Sequence, residues 1–175
     1  MTTDDIERII LNLFEQTRET PGAYYDKAHF MDYLVDPPTN KDNIKNSFKS
    51  ARKYYTFFEA IELQFGICFT LADQDKFYSL DKFVAKTKER IDNSRGNKMI
   101  IRQRMAEKHT YYFEFLLTII LTLFVSYFKI HPVSIILTIL WGIAIWWLVG
   151  SKLKDRRHNS RLFKIIIGDD TKELK

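Results

Sequence analysis

The stretch from Tyr111 to Gly150 reads YYFEFLLTIILTLFVSYF (111–128), KIHP (129–132) and VSIILTILWGIAIWWLVG (133–150). Each apolar run is eighteen residues long, and Glu114 is the only charged residue inside either run. A helix rises about 1.5 Å per residue and the hydrocarbon core of a bilayer is about 30 Å thick, so runs of this length can span it. The sequence therefore predicts a transmembrane helical hairpin at 111–128 and 133–150, with an external loop at 129–132 and membrane lipid as a partner.

Basic residues on the two flanks predict how the hairpin is oriented. Arg102, Arg104 and Lys108 precede it, and six Lys and Arg residues follow it between Lys152 and Lys164. The connecting loop holds only one Lys and one His. Because Lys and Arg near a span stay on the cytoplasmic side, we expect both termini in the cytoplasm. The prediction is a multi-pass protein of the inner membrane with two helices.

Small and hydroxyl-bearing residues recur every four positions along both runs. Such a step keeps them on one slowly rotating stripe per helix, where small and polar side chains let membrane helices approach and bond. One interpretation is that the stripes pack the hairpin against itself. Another is that they also join hairpins into a homo-oligomer with a polar lining, and Glu114 either belongs to that lining or reaches water or a neighbouring cation. The stripe consists of Glu114, Thr118, Thr122, Ser126, Ser134, Thr138 and Gly142.

The net charge of +5 is concentrated next to the membrane. Residues 1–108 carry 18 Lys and Arg against 17 Asp and Glu, whereas residues 151–175 carry 8 against 4. Topology and anionic headgroups explain the basic composition without nucleic acid. Cys68 is the only cysteine, which excludes an internal disulfide and suits a reducing compartment.

The residues ahead of the hairpin predict a small, mostly helical α+β domain over 1–92. Apolar spacing favours helices at 4–18, 23–34, 40–64 and 81–91. Ile67–Leu71 and Lys76–Leu80 are rich in β-forming residues and flank a turn, so they predict one β-hairpin. Residues 93–110 then form a linker and juxtamembrane stalk, and residues 151–175 a basic cytosolic tail.

This order of three helices, a β-hairpin and a further helix resembles a winged helix-turn-helix domain. The resemblance implies that the third helix would present cations to nucleic acid phosphates. The alternative is a solvated helix face opposite the apolar stripe, which the domain's near-zero net charge favours. The cationic face consists of Lys41, Lys45, Lys49, Arg52 and Lys53.

No set of residues in the sequence has the pattern of a catalytic or metal site. The four histidines are scattered, and Asp73 and Asp75 are better explained by a turn than by a metal site. No glycine-rich phosphate loop is present. The sequence therefore predicts a protein that is not an enzyme and that needs no cofactor or metal.

The layout of the whole chain resembles the two-transmembrane effectors of bacterial antiviral systems of the retron and CBASS types. That resemblance implies a cytosolic domain that binds a protein or ribonucleoprotein partner and a hairpin that oligomerises to permeabilise the inner membrane. The alternative function is a membrane-tethered winged-helix transcription regulator that binds nucleic acid. A third interpretation is a scaffold that only anchors its partner.

Overall fold

The computed structural model describes residues 1–34, 44–74, 79–107, 111–128 and 132–168. The chain divides into two compact units, the first comprising Met1–Gln103 with Arg161–Lys175 and the second Arg104–Ser160. Every regular element among the described residues is helical. In chain order they are α1 (Thr3–Thr17), a 3₁₀ helix (Lys27–Leu34), α2 (Ile44–Phe65), α3 (Leu71–Gln74), α4 (Leu80–Asp92), α5 (Ser94–Ala106), α6 (Tyr112–Phe128) and α7 (Pro132–Gly168).

The predicted β-hairpin is wrong, and so are the α+β class and the winged-helix-like architecture, because the described ranges contain no strand. In place of the first predicted strand, an irregular segment leads into α3. The Thr70 hydroxyl accepts a hydrogen bond from the Asp73 N–H at 3.3 Å, and the Asp73 carboxylate accepts one from the Thr70 N–H at 2.8 Å. This reciprocal capping box begins a helix at Leu71. Most of the second predicted strand, 76–78, lies outside the described residues.

The core of the first unit is built largely from phenylalanine. α1 buries Ile6, Ile10 and Phe14, which share one face because they are spaced four residues apart. Phe14 contacts Phe30 of the 3₁₀ helix with the ring centroids 5.4 Å apart in an edge-on arrangement. The other phenylalanines extend this contact into α2, α4 and the segment before α3. The fully buried aromatic side chains are Phe14, Phe30, Phe57, Phe69 and Phe83.

A buried arginine holds the chain where α1 ends. The Arg18 guanidinium donates to the Glu15 carboxylate at 2.9 Å and to the Thr20 carbonyl at 2.6 Å, and it also bonds the Ala23 carbonyl. It lies 5.3 Å from the centroid of the Phe14 ring. Because these groups satisfy the guanidinium, a cation that is only 3% exposed is tolerated beside the core.

The C-terminal end of α7 is part of the first unit. Leu162 and Ile166 are buried there in a second apolar cluster with Cys68 and Ile101. A spacing of four residues places Leu162 and Ile166 on one face of the helix. Within the first unit, the residues that end α7 therefore complete a core that begins with the segment after α2 and with α5.

The second unit contains the apolar helix α6 and the apolar part of α7. Among the described residues, α7 is the one helix long and apolar enough to cross a membrane, over Ile135–Gly168, while α6 is apolar but shorter. None of the most apolar window of α7 is buried inside the protein. A helix of this length with an unburied apolar surface associates with a membrane, which bears out that part of the prediction.

Candidate functional site

A charged pair connects α6 and α7 within the second unit. Glu114, in the first turn of α6, is 7% exposed, and its carboxylate is paired with the Lys152 ammonium group of α7. The Lys152 ammonium also lies 4.7 Å from the centroid of the Tyr111 ring, in a cation–π arrangement. The Glu114 carboxylate, which lies in an apolar run, is therefore paired with Lys152, at the point where the apolar part of α7 ends.

The four-residue polar stripe does not stay on one face of the hairpin. Thr118 and Gly142 are half-buried, whereas Thr122, Ser126 and Thr138 are exposed. A step of four residues overshoots a full helical turn by about 40°, so the stripe rotates away from the Glu114 position along α6. The side chain of Ser134 lies outside the described residues. Of the predicted stripe, the structure brings Glu114 to a partner on the other helix and leaves three members at the surface.

The two threonine hydroxyl groups of α6 bond within their own helix. Thr118 donates to the Glu114 carbonyl at 2.7 Å, and Thr122 donates to the Thr118 carbonyl at 2.8 Å. These bonds satisfy the hydroxyl protons and leave the oxygen lone pairs on the helix surface. The described part of α6 therefore presents threonine to its surroundings as a mildly polar, small side chain.

The half-buried positions of the second unit follow a mixed three- and four-residue spacing. On α6 they are Leu117, Thr118, Leu121 and Phe124, beyond the buried Glu114. This is the spacing of a helix contact face, and its members are mostly large and apolar. On α7 the corresponding positions are Trp141, Gly142, Ile145, Leu148, Val149 and Lys152.

The cationic face of α2 is partly used inside the first unit. Lys49 forms an ion pair with Glu19, and the Lys53 ammonium donates to the Thr17 carbonyl, which lies at the end of α1. Arg52 is exposed. The side chains of Lys41 and Lys45 lie outside the described residues. Two of the predicted nucleic-acid contacts thus hold α2 against α1.

A buried ionic cluster near α3 is absent from the sequence-based prediction. Asp73 is 6% exposed, and its carboxylate pairs with Arg90 of α4 and with the Lys86 ammonium at 3.4 Å. Burial by itself would raise the pKa of Asp73, but hydrogen bonds from Thr70 and the charge of Arg90 outweigh it, so this pKa lies below its ordinary value. The T-x-x-D pattern at 70–73 could have predicted the capping role of Asp73, since this pattern is typical of a helix start. Asp73 therefore acts as a helix cap and ion-pair partner.

Two buried polar side chains bond the irregular segment before α3. The Glu62 carboxylate accepts a hydrogen bond from the Phe69 N–H at 2.8 Å. The Asn97 side-chain oxygen accepts one from the Cys68 N–H at 3.1 Å. No helix or strand periodicity marks Glu62 or Asn97 in advance, because their partners are backbone groups of an irregular segment, which for Asn97 lies 29 residues away in the chain. They keep this segment fixed beneath the end of α7.

The described ranges contain no group of three His, Cys, Asp or Glu side chains that could hold a metal ion. Asp75, one of the two aspartates weighed above, lies outside those ranges. The described features that bear on the membrane are the unburied apolar helix α7, its pairing with α6 and the burial of its end. Comparison of the chain with protein-family models, with curated proteins and with solved structures found no match.

Proposed function

We propose that this chain is a membrane effector of a bacterial antiviral defence system, in which the first unit controls the membrane helices by holding the end of α7. The observation that supports this most directly is the burial of Leu162 and Ile166 with Cys68 and Ile101. The same helix that offers an unburied apolar surface ends inside the core of a separately folded unit. Binding of a protein or ribonucleoprotein partner to the first unit can then change how tightly that end is held.

Two membrane crossings with both termini in the cytoplasm are part of the proposal. α6 has 17 residues, which corresponds to about 25 Å of helix and suits a bilayer that thins slightly or a span extended by its flanks. The Glu114–Lys152 pair supports the same arrangement, because it joins the start of α6 to the polar end of the apolar part of α7. Charged groups at this position are expected at a membrane edge, where water can reach them.

Association of hairpins into a homo-oligomer is the proposed permeabilising step. Thr122, Ser126 and Thr138 are exposed on helices that are otherwise apolar. In lipid, such surfaces pair with a second copy more readily than uniformly apolar ones, since small side chains allow close approach. Replacing the three by Leu should therefore abolish dye entry into overexpressing cells, whereas Ile119, Val125 and Ile139 changed to Leu should leave it unchanged. Undiminished dye entry in the first variant would remove this step.

The holding role is tested with Leu162→Ala and Ile166→Ala together in the full chain. We expect faster maleimide labelling of Cys68 in isolated membranes, because its cover is weakened, and greater dye entry in cells. Leu153→Ala on the same helix, at a position that is 43% exposed, is the matched control and should change neither. Faster labelling without greater dye entry would favour the scaffold interpretation, in which an unrelated hairpin of equal length would serve as well.

A further inference from the structure

Two arginines follow the apolar part of α7 and lack an ionic partner among the described residues. Arg156 and Arg157 are exposed. Along the same helix, Trp146 and Trp147 precede them and are 83% and 66% exposed. Indole side chains of this kind favour the boundary between hydrocarbon and headgroups, which puts the arginines just beyond that boundary.

Cationic residues outnumber acidic residues around these arginines. Between Ser151 and Gly168 the only acidic residue is Asp155, against six Lys and Arg. Lys152 is committed to Glu114. Arg157 and Arg161 are four residues apart on a helix, a spacing at which like charges repel. Counter-anions from outside the chain would relieve this repulsion.

The distance along α7 from the end of its apolar part to the arginines is similar to the range of electrostatic attraction to a membrane surface. Arg157 follows Gly150 by seven positions, which amounts to about 10 Å of helix. Electrostatic attraction to an anionic surface persists over about one Debye length, or about 8 Å at physiological ionic strength, and the arginine side chains extend the reach. With α7 inserted as in the proposed function, both guanidinium groups would lie within range of the phosphates of the adjoining leaflet.

From these observations we propose that Arg156 and Arg157 form a binding surface for anionic phospholipid headgroups and make the chain select anionic over zwitterionic lipid. The proposal rests on the membrane insertion of α7 included in the proposed function. A planar guanidinium binds phosphate through two parallel N–H donors, so the preference should exceed that of a simple positive charge. Near a membrane surface each such cation shifts partitioning by about fivefold.

The test uses the full chain in bilayers of equal parts phosphatidylcholine and phosphatidylglycerol, with bromine on the acyl chains of one lipid or of the other. All three tryptophans, Trp141, Trp146 and Trp147, lie in α7, so their quenching reports which lipid surrounds that helix. We expect quenching that corresponds to an enrichment of phosphatidylglycerol of at least about twofold, which disappears at high salt.

The variant Arg156→Gln with Arg157→Gln should bring this enrichment close to one. Its matched control is Arg52→Gln with Arg95→Gln, which removes the same charge from exposed positions of α2 and α5 and should retain the wild-type preference. Equal quenching by both lipids in the wild-type chain would overturn the lipid preference alone. A preference for phosphatidylglycerol that persists in the Arg156→Gln, Arg157→Gln variant would likewise overturn the assignment of that preference to these two arginines. No quenching by either lipid would overturn this inference together with the proposed membrane function.

Discussion

The side-chain oxygen of Asn97 accepts a hydrogen bond from the backbone N–H of Cys68 at 3.1 Å, and its nitrogen donates to the Arg90 carbonyl at 2.6 Å. Asn97 is 3% exposed. One amide on α5 thus serves both the segment after α2 and the end of α4. The Cys68 N–H, which would bond a neighbouring strand if this segment were part of a sheet, bonds the Asn97 side chain instead.

Replacing Asn97 by Ala should destabilise the first unit by about 2 to 4 kcal/mol, because the buried Cys68 N–H and the partly buried Arg90 carbonyl both lose their partner. Urea unfolding of the full chain in detergent gives the free energy of unfolding, and maleimide labelling of Cys68 gives the local effect. Gln103→Ala, an exposed position on the same helix, should stay within about 0.5 kcal/mol of the wild type. Equal stability of the two variants would mean that water replaces the amide.

The Asp73 ion-pair cluster predicts a specific dependence of stability on pH. Replacing Asp73 by Asn should cost about 2 to 4 kcal/mol at neutral pH, since Arg90 stays partly buried without this carboxylate, whereas Lys86 still pairs with Glu89. Asp81→Asn, at an exposed position in the first turn of α4, is the control and should cost far less.

The sign of that dependence follows from the lowered pKa of Asp73. A carboxyl group whose pKa is lower in the folded state stabilises the fold above its unfolded pKa and loses this contribution as the pH falls through the folded pKa. The difference between wild type and Asp73→Asn should therefore be full at pH 7 and shrink below the ordinary value of 3.8. Unfolding measured from pH 7 to pH 3 tests this. A difference that stayed constant over the range would assign the cost to packing alone.

Helical periodicity predicted α1 and α4 of the first unit well, whereas the helix predicted at 23–34 is a 3₁₀ helix over Lys27–Leu34. The apolar spacing at 4–18 and 81–91 corresponds to α1 (Thr3–Thr17) and α4 (Leu80–Asp92). The helix predicted to end at residue 64 ends at Phe65, and Gly66 follows it with a φ of +62°. These features depend on neighbouring residues only, which is why the sequence suffices for them.

The error at Ile67–Leu71 has a physical cause. Its first three residues are buried, as a strand in a core would be, and a short apolar run does not distinguish a strand from any other buried segment. The backbone N–H groups of Cys68 and Phe69 bond the side chains of Asn97 and Glu62 instead of a second strand. These partners are side chains outside the segment, and Asn97 is 29 residues away, so the β-propensity of the segment does not identify them.

The candidate site was only partly predictable from the sequence. The sequence allowed that Glu114 reaches water or a neighbouring cation, but choosing Lys152 requires the register of α6 against α7. The role of Leu162 and Ile166 was missed, because a basic segment after a membrane span looks like a free tail until the surface that covers its apolar face is known.

Two glycines offer a direct measure of how the end of α7 constrains its neighbours. Gly66 and Gly22 both have positive φ, +62° and +78°. A Cβ at Gly66 would lie 3.1 Å from Cγ2 of Ile165, whereas a Cβ at Gly22 meets nothing within 4 Å. Alanine at either position should cost about 1 to 2 kcal/mol from the left-handed backbone, and Gly66→Ala should cost more because Ile165 must shift.

A double-mutant cycle separates the two contributions. Ile165→Ala should recover the excess cost of Gly66→Ala and should leave the cost of Gly22→Ala unchanged, as expected for coupling restricted to neighbours. Urea unfolding of the wild type, the three single variants and the two double variants provides the free energies. Identical costs at the two glycines, with no coupling to Ile165, would show that the end of α7 moves aside freely.

The last prediction concerns nucleic acid. Lys49 is paired with Glu19, and Lys53 donates to the Thr17 carbonyl, so this face has fewer available cations than its composition indicates. We expect the full chain to bind duplex DNA weakly, with an affinity that varies with salt to a power of less than about two. A fragment ending at residue 108 is unsuitable for this test, because it lacks the Leu162 and Ile166 side chains that cover Cys68.

DNA binding by variants of the cationic face of α2, measured with the full chain in detergent, tests this prediction. A steep salt dependence that Lys49→Gln with Arg52→Gln removes, and that Lys82→Gln with Arg95→Gln leaves intact, would favour a DNA-binding regulator over the membrane effector. Loss of binding in both pairs would instead indicate attraction by overall charge. Binding that is weak in every variant leaves α2 as a structural helix whose cations hold α1, and the search for a partner then belongs on the rest of the first unit.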